Sequence, residues 1–193
     1  MRASLLIAAV ALTVSQVAAQ SGSAQAPGVT PQVAGAVARA DKAIAELQTT
    51  LIGRLKSELG KGGPQAAVTV CRDEAQQLTA SIGAKHALEM GRTSHRVRNP
   101  ANAPRPWSSH YVASWAGARA AAAQPAVFEL RAGRVGVLRP IGTMELCVMC
   151  HGPRETVQAT IGEVLQASYP DDRAVGFAPG DLRGWFWAEV EAR

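Results

Sequence analysis

The chain has 193 residues, of which 20 are Lys or Arg and 15 Asp or Glu, enough for one compact domain with a sizeable core. Setting aside Arg2 in the leader leaves 19 basic against 15 acidic residues. That bias is too small to imply nucleic acid as a partner, and no basic stripe with interleaved aromatic residues is present.

Residues 1–19 run Met1-Arg2, then an apolar stretch from Ala3 to Val14, then Ser15-Gln16-Val17-Ala18-Ala19. The small residues suit a signal peptidase, and the run is short for a span of about 20 residues. A cleaved signal peptide ending near Ala19 is expected, with a periplasmic product that keeps no membrane span. Residues 20–30, rich in Ser, Gly, Ala and Pro, read as a flexible leader. Residues 31–193 are expected to form one domain.

From Pro31 a long helix is predicted, because Val33, Val37, Ile44, Leu47, Leu51, Leu55 and Leu59 recur at three- and four-residue spacing. Gly60-Lys61-Gly62-Gly63 ends it, and Pro64 suits the first turn of a second helix to about Ser81. That helix presents Val68, Cys71, Ala75 and Leu78 on one face. Residues 87–94 read as a strand leading into a loop, 98–106, stiffened by Pro100, Pro104 and Pro106. A helix is predicted over 107–122. Residues 127–130 and 135–138, flanking Ala132-Gly133, form an antiparallel hairpin, and a helix covers 155–167. A turn-rich loop fills 169–180 and a closing strand 182–191, whose Trp185-Phe186-Trp187 leaves its inward face open. The mixture argues an α+β class.

The chemistry lies in Cys147-Val148-Met149-Cys150-His151. Two thiols three positions apart can add to the two vinyl groups of one haem, and the next residue's imidazole then falls beneath the iron. Cys147 and Cys150 are thus expected to hold a haem c covalently, with His151 as the proximal ligand. A zinc half-site would want a further Cys or His pair, and a redox dithiol a thioredoxin-like βαβ setting. The chain has three cysteines, an odd number, so complete internal pairing is impossible. Cys71 is either a distal iron ligand or a small buried hydrophobe. His86, His95, His110, Met90 and Met144 are its rivals for the distal position. Arg92, Arg96 and Arg98, beside the proline-fixed loop, are candidates for the haem propionates, since guanidinium groups take carboxylates in bidentate fashion. Trp107, Trp115, Trp185 and Trp187 are candidate walls of a haem crevice or ordinary core.

Gly91-Arg92-Thr93-Ser94, Arg98-Asn99-Pro100-Ala101-Asn102-Ala103-Pro104, the Cys147-to-His151 motif, Tyr169-Pro170-Asp171-Asp172 with Ala174-Val175-Gly176, and Gly180-Asp181-Leu182-Arg183-Gly184 occur in that order. Together they resemble the Tll0287-like family of single-haem c-type cytochrome domains, once a domain of unknown function. The resemblance implies a PAS-like central antiparallel sheet flanked by helices, with long N-terminal helices. It also implies a His/Cys axial pair, carried here by His151 and Cys71.

Two functions follow as expectations. One is a redox or small-ligand sensor, whose output passes through a separate signalling protein. The other is a periplasmic electron carrier that docks on a redox partner protein. An enzyme is not expected, since no nucleophile, base and orienting group stand together in the sequence.

Overall fold

In the computed structural model, which describes residues 29–193, the Thr30 hydroxyl accepts from the Val33 N–H at 3.3 Å and Pro31 takes the first helical position. This cap starts α1 (Pro31–Thr69). The expected signal peptide and residues 20–28 of the leader lie outside the described residues. Helical geometry lapses at Gly62 (φ −142°) and Gly63 (φ +68°). The second conformation is one that glycine adopts without strain, and Pro64 restarts the helix at the predicted place. A π-helical turn (Val70–Glu74) follows, closed by the Ala75 N–H donating to the Val70 carbonyl, and α2 (Ala75–Lys85) completes the run.

Four strands form an antiparallel sheet in the order β1-β4-β3-β2: β1 (Glu89–Thr93), β2 (Ala126–Glu129), β3 (Arg134–Gly142) and β4 (Leu182–Glu191). The hairpin is present, with β2 and β3 in antiparallel register from Ala126↔Leu138 to Glu129↔Val135. Both faces of the sheet are covered. On one, Met90, Val135, Val137, Phe186, Ala188 and Val190 pack under Ala36, Ala40, Ala43, Ile44 and Leu47 of α1. On the other, Leu138, Leu182 and Trp185 pack with Val112, Ala123, Trp107, Tyr111 and Trp187. Alternation along β4 sends Phe186 one way and its two tryptophans the other, so the sequence's ambiguity had two correct answers. A third cluster joins Val68 to Val157, Ile161 and Leu165 of α5 (Arg154–Ser168). The class is α+β, with the long N-terminal helices and central sheet expected. Among the described residues no helix is long and apolar enough to cross a membrane.

One element departs from expectation. The helix predicted over 107–122 is reduced to α3 (Ser109–Ser114). Gly117 turns the chain at φ +79°, and Ala116, Ala121 and Ala122 are exposed, so a continued helix would have buried no apolar face to stabilise it.

Candidate cofactor site

The motif helix α4 (Glu145–His151) puts Cys147 and Cys150 one turn apart, so both thiols project from one side. The loop after α5 closes the end of this helix. The Phe177 N–H donates to the His151 carbonyl at 2.9 Å, and the Gly176 N–H to the Gly152 carbonyl at 2.6 Å. Arg98 Nη2 donates to the Cys150 carbonyl at 2.6 Å, while its Nε donates to Asp172 at 3.0 Å. The other oxygen of Asp172 accepts from the Ala174 N–H at 2.8 Å. The Ala174 carbonyl in turn faces His151 Nδ1 at 2.7 Å. That contact makes Nδ1 the protonated nitrogen and leaves Nε2 with a free lone pair, the form a metal requires. Burial, with the charges of Arg183 and Arg98, holds the His151 ring well below the usual imidazole range, so it is neutral.

Cys147, Cys150 and His151 line a cavity of about 390 Å³, within the usual size of a cofactor pocket. Its apolar wall comes from Leu51, Ile52, Leu55 and Leu59 of α1 and from Ile141 and Phe186 of the sheet. Cys71, from the π-helical turn, lines the same cavity. Such turns are rare and recur at functional sites because the widened backbone re-aims a side chain. Arg54 braces the turn through two contacts of 2.8 Å to Glu74. All three cysteines are free thiols, and burial pushes Cys150 up to about 11. Among the described residues no three of His, Cys, Asp and Glu gather into a cage for a bare ion. Two thiols and an imidazole from one helix, an apolar slot, and one further sulfur instead fit a flat macrocycle that brings its own metal donors.

Of the five rivals to Cys71, Met144 alone reaches the cavity wall. His86 contacts Glu46 at 2.9 Å, His95 lies edge-on to Phe177, His110 is exposed and Met90 is in the core. Nor do the four tryptophans wall the cavity, since they pack on the opposite face of the sheet. The three sequence-nominated arginines separate. Arg92 lines the cavity, and Arg98 lines it with its guanidinium already bonded to Asp172 and Cys150. Arg96 does not line it: its Nη1 donates to the Val175 carbonyl at 2.7 Å and its guanidinium lies 3.9 Å over Phe177. Arg183, Tyr169, Thr93 and Thr143 also line the cavity and were not singled out from the sequence. Arg183 carried a signal, being the only basic residue of β4 and the only charge in its run from Leu182 to Ala188.

A family model described as Tll0287-like matches residues 4–190. Among solved structures the chain is similar to the crystal structure of the cyanobacterial heme-protein Tll0287, at 26% identity and a TM-score of 0.62, covering 85% of this chain and 98% of that one. No curated protein matches. With nearly its whole length matched, the chain belongs to the Tll0287-like family.

Proposed function

We propose that this chain is an exported haem c protein that senses redox state or a small ligand, holding its haem through Cys147 and Cys150 with His151 and Cys71 as axial ligands. The observation that carries the reading is the cavity lined from α4 by both motif cysteines and the neutral His151, and from the π-helical turn by Cys71. The likeness to a solved haem protein supports it. Bound there, haem would supply one-electron iron chemistry and, when an axial position opens, a site for a diatomic molecule.

The chain's residues have distinct tasks in this reading. Cys147 and Cys150 anchor. His151 presents Nε2, held by the Ala174 carbonyl. Cys71 would hold the iron through its sulfur, a donor that favours the ferric state. Met144, three residues ahead of the motif, and Met149, within it, are 41% and 40% exposed and favour a second reading, an electron carrier docking on a redox partner through this edge. In neither reading is the chain an enzyme, and in the first a separate protein carries the output.

Absorption and EPR spectra through reduction, with and without carbon monoxide, on the holoprotein and on Cys71→Ala, decide the matter. The expected result is a low-spin thiolate signature that vanishes in the variant, with carbon monoxide uptake on reduction. Retention of the thiolate in the ferrous state would favour the carrier. Identical spectra from the two proteins would overturn the His/Cys assignment.

A further inference from the structure

Of the five Lys and Arg residues from Lys85 to Arg105, three pair with carboxylates. Lys85 meets Glu46, Arg98 meets Asp172 and Arg105 meets Glu189, at 2.8, 3.0 and 2.8 Å. Arg92 finds no such partner. Beside it stands Arg183, brought there because β1 and β3 finish where β4 begins. Each of these two arginines has a buried Nε–H without an acceptor. So do the buried hydroxyls of Thr93 and Thr143, at the same end of the sheet. All four residues line the cavity, whose wall contains no carboxylate among the described residues.

Arg92 and Arg183 are half-buried, and drawing two unpaired charges of like sign partly out of water into one cavity carries a cost that each adds to the other. Burial, then the charges of Arg98 and Arg92, pull Arg183 down to about 10. The cost is met if an anion completes the site. We propose that Arg92 and Arg183, with the hydroxyls of Thr93 and Thr143, form an enclosed seat for two carboxylates, which on the haem reading above are the propionates. Arg96 is then a positioning residue. Its guanidinium stacks on Phe177, whose ring also lies 5.1 Å from Arg183, and its carbonyl accepts from Arg183 Nη1 at 3.4 Å. Arg183 Nε is left for the ligand.

The test uses the full chain carrying Cys147→Ala and Cys150→Ala, so that haemin binds reversibly. Haemin, its dimethyl ester and inorganic phosphate are titrated by absorbance or calorimetry. Charge-assisted bonds predict haemin about 10- to 100-fold tighter than the ester, and Arg183→Gln or Arg92→Gln should shrink that ratio by about tenfold, with Arg183→Lys in between. Because the arginine is uncompensated without ligand, ligand-free Arg183→Gln should melt no lower than its parent. Equal binding of haemin and ester overturns the seat. So does an Arg183→Gln protein that melts lower with the ratio unchanged, which is the signature of a structural arginine. Binding of phosphate as tight as that of haemin reassigns the arginines to a free anion. If neither haemin nor ester binds, the haem reading itself has failed and the seat falls with it.

Discussion

Replacing Arg98 with Met removes the charged side chain that joins the Cys150 carbonyl at the end of the motif helix to Asp172 in the loop behind it. The Arg98 side chain is 7% exposed and that of Asp172 11%, so the substitution leaves a carboxylate inside the fold with only the Ala174 N–H to answer it. Breaking a buried pair in this way costs about 3–5 kcal/mol. In a domain of this size that lowers Tm by roughly 6–20 °C. The Cys150 carbonyl loses its charged donor as well, so the damage reaches the attachment motif. Urea or thermal unfolding of Arg98→Met, Asp172→Asn and the double variant measures the effect. The double variant should cost less than the two singles summed, by about 0.5–3 kcal/mol, because the residues share one network. A loss below about 1 kcal/mol for Arg98→Met, or strict additivity, would refute the argument that Arg98 organises the proximal side.

Three further outcomes can be checked. Gly91→Ala would place a Cβ 2.6 Å from the Trp187 indole, so it should cost about 1–3 kcal/mol by overpacking; adding Trp187→Leu should recover most of that in urea titrations. Glu189 has its carboxyl held below the ordinary range: burial works to raise it, and the bonds from Trp107 and Arg105 with the charges of Arg105 and Arg134 outweigh burial. Its contribution is therefore complete above the unfolded value of about 4.3 and lost as pH falls through the lower folded value, so Glu189→Gln should flatten the acid limb of the urea midpoint against pH. Finally, Ala174 holds His151 through its backbone carbonyl, so Ala174→Ser should leave the holoprotein spectrum unchanged while Ala174→Pro, which removes the N–H that Asp172 accepts, should disturb it.

The long helix, the hairpin, α5 and β4 were legible because each carries an apolar period that its packing uses. The Cys147-to-His151 motif was legible because its chemistry is confined to one turn of chain. What sequence reading missed has a common cause. It nominated arginines by their neighbours along the chain, which gave Arg92 and Arg98, both on the cavity wall, and Arg96, which is not, whereas the polar end of the cavity is assembled from the ends of three strands and includes Arg183. Likewise, alanine-rich 116–123 has helical propensity, yet Gly117 and the bond from Arg119 Nη1 to Asp181 at 2.6 Å fold it into a turn against the start of β4. The π-helical turn at Cys71 has no periodic signature at all. Five residues of altered winding leave the apolar pattern on either side intact.

The distribution of the core says which part of the molecule depends on an occupant. The clusters on the two faces of the sheet close largely upon themselves: α1 residues from Ala36 to Leu47 over one face, the aromatic group over the other. The next stretch of α1 is different, since Ile52, Leu55 and Leu59 face the cavity and belong to none of the three clusters. It ends at the non-helical pair Gly62-Gly63. A helix segment with few buried contacts and a break at one end opens at low free energy. Hydrogen exchange should therefore show fast amides over residues 52–63 in the cofactor-free chain, slowed on haem loading, while β3 and β4 exchange alike in both. The reverse, a sheet that gains protection and a helix that does not, would mean that the cavity is not where binding energy is delivered.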